Sequence, residues 1–223
     1  MGWLEYVIAF AAFFLSHSLP TRPATKSRIV AAIGPRGFAI AYSILSLTVL
    51  YWLLMAAGRA PALILWDWAR WQNQVPLIAM TIVCILLALT IARPNPFSFG
   101  GAQNDRFSVD HPGLIRWTRH PILAALAIWA VAHILPNGDL AHVILFGTFA
   151  GFALLGMRII DRRKRREMGA EWTRFRDALR SSPLFHSPVS LPGLSVRVIL
   201  GILAYAALLQ LHPLVFGVAP YPG

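Results

Sequence analysis

Five histidines lie in or at the edge of apolar runs: His17 in FFLSHSLPTRP, His120 in IRWTRHP, His133 in IWAVAHILPNGD, His142 just beyond it, and His212 in LLQLHPL. His111 and His186 fall in polar stretches. An ionisable side chain in hydrocarbon is costly and by default marks function. Neutral imidazole is a common ligand of heme iron, and a helical bundle can hold a planar cofactor between its helices. Two histidines from different helices would fill both axial positions. The competing reading of each histidine is an isolated polar group bonded to a neighbouring carbonyl. A zinc site has less support, because the sequence contains neither H-E-x-x-H nor a cysteine cluster.

Arg116 and Arg119 of RWTRHP are spaced about one helical turn apart, and Pro121 suits the first turn of a following helix. Guanidinium groups beside a helix start can hold a carboxylate, a phosphate or heme propionates. Charge placement and helix capping account for the same residues without any ligand. PNPFSFGGAQNDRF is a non-helical loop by its prolines and paired glycines. It reads as a connector, with a lid over a site as the alternative.

The elements that position these groups are apolar helices. The 223 residues are 57% hydrophobic and 13% charged, with a mean hydropathy of +0.60. A soluble domain carries about 25% charged residues. Here the apolar residues gather in long runs, and a span needs about 20 of them. The expected class is therefore an all-α polytopic membrane bundle of about six spans: Gly2–Leu19, Gly37–Ala57, Val75–Ile91, Pro121–Leu135, Leu140–Ile160 and Val196–Val215. The fourth is short unless Leu114 to His120 extend it. The first lacks a basic flank and a small-residue cleavage site, and so reads as a retained span. Gly147, Gly151 and Gly156 in the fifth would permit close helix contact. The single cysteine, Cys84, rules out a disulfide within the chain.

The net charge of +11 is explained by topology without nucleic acid. Arg22, Lys26, Arg28 and Arg36 follow the first span, and Arg93, Arg106, Arg116 and Arg119 follow the third. The segment DRRKRREMGAEWTRFRDALR follows the fifth. The alternate loops are poor in cations. Positive loops stay cytoplasmic, which puts both termini on the outer side. Trp66, Trp68 and Trp71 then form an outer aromatic belt. The basic segment, about residues 161–195, reads as a cytoplasmic helix that continues the fifth span or lies on the headgroups, attracted to anionic lipid of the bilayer.

The motifs SHSLPTRP, TRHP, AHILPNGD and DRRKRREMGAEWTRF followed by SPLF together resemble the bacterial NnrU family over nearly the whole chain, as a single domain 1–223. That family is similar to the 15-cis-zeta-carotene isomerases, which are heme-dependent membrane proteins. The resemblance implies heme b held by His17 and His133. Those isomerases carry a cysteine three residues before the second histidine, where this chain has Ala130, so ligand exchange through that thiol does not follow, and polyene cis-trans isomerase activity stands as an alternative. The family's association with nitric oxide and nitrite implies denitrification or redox metabolism at the bacterial inner membrane, with a nitrogen-oxide reductase or another redox protein as partner. A heme enzyme, a sensor, an electron carrier and a non-catalytic member of a reductase assembly all fit that setting. The RHP element with Glu167, Glu171 and Trp172 is also similar to membrane methyltransferases that bind S-adenosylmethionine. At 1.5 Å per residue, His133 lies about 20 Å beyond His120, while His17 lies about 8 Å from the Arg22 boundary. His120 is thus the depth-matched alternative to His17, and His212 the alternative to His133.

Overall fold

The computed structural model describes residues 2–185 and 190–221. His186 and the end of the basic segment at 186–189 lie outside the described residues. Among those described, seven α-helices carry the chain: α1 (Gly2–Ser18), α2 (Pro23–Arg59), α3 (Gln74–Thr90), α4 (Pro121–Ile134), α5 (Leu140–Met168), α6 (Ala170–Ser181) and α7 (Leu191–Phe216). They include no β-strand, only an isolated bridge between Ile64 and Asp139. The class is the all-α one that the sequence implies.

Among the described residues, four segments are long and apolar enough to cross a membrane: Pro23–Arg59, Arg70–Thr90, Leu140–Met168 and Leu191–Phe216. With 17 and 14 residues, α1 and α4 fall short of that length. Leu114 to His120 do not extend α4. Gly113–Arg116 form a separate 3₁₀ turn, and His120 sits at φ −122°, ψ 59°. A residue before proline is pushed out of the helical region, so Pro121 fixes the start of α4. Two other boundaries differ from expectation. α2 begins at Pro23 rather than Gly37, and α7 begins at Leu191 rather than Val196. Within α2, Gly34 adopts φ 74°, ψ 167° ahead of Pro35, and the kink separates the first three turns, which carry Lys26 and Arg28, from the apolar helix. Glycine takes that positive φ without a Cβ clash.

The chain divides into two compact units, Met1–Trp66 with Gly138–Leu145, and Asp67–Asn137 with Phe146–Gly223. In the first unit α1 and α2 pack antiparallel. At one end Glu5 pairs with Arg59 at 2.6 Å and accepts from Trp52 Nε1 at 3.2 Å. At the other, the rings of His17 and Tyr42 approach to 6.1 Å. Tyr6, Ala9 and Phe13 are the buried face of α1, at spacings of about one and two turns. The hydroxyl of Tyr6 donates to the carbonyl of Ala141 at 2.6 Å.

In the second unit α3 packs against both α4 and α7. A Cβ at Gly201 would come within 2.8 Å of Ile85 Cα, so the α3 and α7 backbones meet there. This is the close approach that was expected of the α5 glycines. Gly147 and Gly151 face open space, and Gly156 meets only the Leu123 side chain. Arg197 on α7 donates to the carbonyls of Ala88 and Ile91 at 2.7 and 3.1 Å, covering the last turn of α3. α4 runs antiparallel to α5, as Trp129 lies against Phe146 and Phe149, and His133 against Phe146.

Candidate functional site at the start of α4

α5 continues past its apolar part to Met168, and Gly169 at φ 58° then breaks it. The basic segment therefore continues the fifth span and then turns. α6 places Trp172 and Leu179 in a buried cluster with Phe97 and Ile115, packed by Phe107 and Phe175. The PNPFSFGG loop is thus a structural wall and not a bare connector. Phe97 is fully buried. A Cβ at Gly100, which has φ 78°, would collide with Ile122 of α4. This wall holds the entry to α4 against α5 and α6.

The wall presents a polar network. Asn95 Nδ2 donates to the carbonyl of Arg119 at 3.0 Å, and Asn95 Oδ1 accepts from the Phe97 amide at 3.1 Å. Arg119 grips Asp161 through two nitrogens, at 3.1 and 2.5 Å. His120 Nε2 lies 3.0 Å from Asp161 Oδ1, and its Nδ1 lies 3.0 Å from Ser98 Oγ. A carboxylate oxygen only accepts, so Nε2 carries the proton and Nδ1 accepts from the serine hydroxyl. Burial holds the His120 imidazole below its ordinary pKa, opposed by its hydrogen bond to Asp161 and that carboxylate's charge and assisted by Arg119. Trp172 is stacked by three guanidinium groups, of Arg165, Arg176 and Arg119, at 4.6, 5.1 and 5.8 Å. A cavity of about 320 Å³ opens between these elements, lined among others by Arg116, Arg119, His120, Asp161, Arg176 and Arg180.

Of the residues singled out from sequence, Arg116, Arg119 and His120 are brought together here. Both ring nitrogens of His120 are engaged by protein groups. Arg116 donates to the carbonyls of Ser182 and Arg180 at 2.9 and 3.3 Å and so closes the end of α6. Glu167 and Glu171 are exposed, and pair with Arg163 and Lys164 and with Arg174. Sequence reading missed Asn95, Ser98 and Asp161. The one available signal was Asp161 itself, the acidic residue that directly ends the apolar run of α5.

The intramembrane histidines are placed differently. His17 belongs to the first unit and His133 to the second. His17 Nδ1 lies 2.8 Å from the carbonyl of Phe13, and His133 Nδ1 lies 2.8 Å from that of Trp129, each one turn back on its own helix. His212 Nδ1 lies 2.7 Å from the carbonyl of Val218. A carbonyl can only accept, so in all three rings Nδ1 donates and Nε2 keeps its lone pair. A metal-binding imidazole is commonly held in this tautomer by a backbone carbonyl. The same bond also satisfies the isolated-imidazole reading at one nitrogen. His142 instead turns to Asp139, at 2.6 Å, at the start of α5. Among the described residues no group of three or more His, Cys, Asp or Glu side chains converges to hold a bare metal ion.

Helices of this length and hydropathy, in a chain whose polar network sits at one end of an α4–α5 hairpin, define a polytopic helical membrane protein. A family model described as NnrU protein matches residues 5–220, and the chain belongs to that family. No curated protein and no solved structure matches it.

Proposed function

We propose that the chain is a heme b-binding protein of the bacterial inner membrane, with His17 and His133 as axial ligands and a role in nitrogen-oxide or redox metabolism. The supporting observation is the shared geometry of the two rings. Each donates Nδ1–H to the carbonyl one turn back, and its Nε2 keeps a lone pair with no hydrogen-bond partner among the described residues. The rings of Trp129 and Phe146 lie against the His133 imidazole, with centroids at 5.6 and 5.3 Å. A bound heme would supply one-electron chemistry and an iron able to take nitric oxide. The positive loops face the cytoplasm and both termini the outer side. A redox partner such as a nitrogen-oxide reductase would meet one of these faces.

Arg116 and Arg119 do not fit the propionates of a heme held at His133. The 13 residues from His120 to His133 span about 20 Å of helix, beyond the reach from heme iron to its carboxylates. They are left for a different ligand.

His212 lies in the same unit as His133, and its Nδ1 is likewise bound to a carbonyl. This supports a second reading in which His133 and His212 are the pair. Absorption spectra of the detergent-purified protein, oxidised and reduced, separate the two. The first reading expects a Soret band that is lost in His17→Ala and in His133→Ala but kept in His212→Ala. The second expects loss in His133→Ala and His212→Ala only. A colourless folded protein, or a band indifferent to all three substitutions, refutes both.

A further inference from the structure

We infer that the cavity beside α4 binds the phosphate group of an anionic lipid. Four arginines line it, Arg116, Arg119, Arg176 and Arg180, against the single carboxylate of Asp161. Asp161 is already gripped by Arg119, and Arg176 pairs with Asp177 at 2.8 Å. Arg116 bonds only to carbonyls, and Arg180 has no ion-pair partner among the described residues. Nor does His120 add an acceptor, since its lone pair is taken by Ser98. The indole of Trp172, under the guanidinium groups of Arg119 and Arg176, is buried with its N–H finding no acceptor among the described residues. The site is rich in donors and short of acceptors, the condition that a phosphate relieves. Its oxygens take guanidinium pairs in the fork geometry that arginine offers.

The depth of the cavity favours a lipid over a soluble anion. It opens where the apolar part of α5 ends, and Met157, Ile115 and Leu179 form part of its wall. Leu154, about two turns before Asp161 on α5, is exposed where that helix would face acyl chains. A volume of about 320 Å³ corresponds to roughly ten waters, enough for a phosphate and the first atoms attached to it. The site is independent of any heme, and its test reads lipid and not pigment.

The full chain is reconstituted in nanodiscs of phosphatidylcholine containing a minority of phosphatidylglycerol. Lipid retained after extraction is then counted by native mass spectrometry. Wild type is expected to keep phosphatidylglycerol preferentially. Arg180→Gln, whose side chain makes no ion pair among the described residues, is expected to lower that retention about tenfold, the worth of a charge-assisted hydrogen bond. Arg166→Gln, which removes the same charge from exposed α5 outside the cavity, is expected to leave it unchanged. Equal loss in both variants shows only diffuse surface attraction and overturns the site. Absence of any preference for phosphatidylglycerol, with thermal stabilisation by inorganic phosphate in phosphatidylcholine discs, assigns the cavity to a soluble anion and overturns the lipid.

Discussion

The His120 ring makes two hydrogen bonds and has almost no contact with solvent, and its chemistry is fixed by what it cannot do. Burial outweighs the help of Asp161, so the folded chain holds a proton on this ring less readily than the unfolded chain does. Above the ordinary histidine pKa of about 6.5 the ring is neutral in both states and pH has no leverage through it. As pH falls below that value the unfolded chain gains a proton that the folded chain refuses, and stability declines until the folded ring also titrates. His120→Gln keeps an amide donor toward Asp161 and removes the titration. Thermal unfolding in detergent is therefore expected to show a smaller loss from pH 7.5 to 5.5 in His120→Gln than in wild type. The remaining histidines contribute equally to both proteins. Identical losses would mean that His120 is protonated as easily in the fold as outside it. The partners of this ring show where sequence reading stops. Ser98 and Asp161 are 22 and 41 residues away, and only tertiary folding brings them to one imidazole.

At the level of helices, long apolar runs were legible, because about 20 such residues in succession admit few other structures. The boundaries of α3 and α4 fall within a residue or two of expectation. The start of α2 was not legible, since Pro23 to Gly34 is basic and broken from the apolar helix by Gly34-Pro35, a pattern that reads as a loop. The packing role of individual glycines was not legible either. Spacing within a helix marks which residues share a face, not which face meets a neighbour. Gly151 and Gly201 make the contrast testable. A methyl at Gly201 lands 2.8 Å from the Ile85 backbone, which cannot swing aside as a side chain can. Gly201→Ala is expected to destabilise by about 1–3 kcal/mol through overpacking of α3 on α7. Gly151→Ala meets nothing within 4 Å and gains helix propensity, so it is expected to be neutral or slightly stabilising. Melting temperatures of the two variants in one detergent decide the matter, and a Gly201→Ala protein as stable as wild type would refute the close crossing.

Across the whole molecule, the short helices are understood through the long ones beside them. α4 has 14 residues, about 21 Å, against a hydrocarbon core of about 30 Å. Yet its start, at His120, is bonded to Asp161 near the basic end of α5, and His133 near its finish lies against Phe146 toward the opposite end. An antiparallel helix paired with α5 from Phe146 to Asp161 is expected to cross beside it. The same reasoning applies to α1, whose 17 residues run along α2 from Arg59 to Tyr42. Crossing by both would make six passages, and crossing by α4 would put Arg106 and Arg163 on one side, as the distribution of positive charge requires. Were α4 to stop within the membrane, the most basic segment of the chain would emerge on the side opposite to Arg106. Cys84 is buried and is the sole native thiol, so its replacement gives a clean background for labelling. In intact cells, a membrane-impermeant maleimide is expected to modify Trp71→Cys and Asn137→Cys and to spare Arg106→Cys and Arg163→Cys until the membrane is opened. Labelling of Asn137→Cys and Arg163→Cys from the same side would show that α5 does not cross. Labelling of Arg106→Cys and Asn137→Cys from the same side would show that α4 does not.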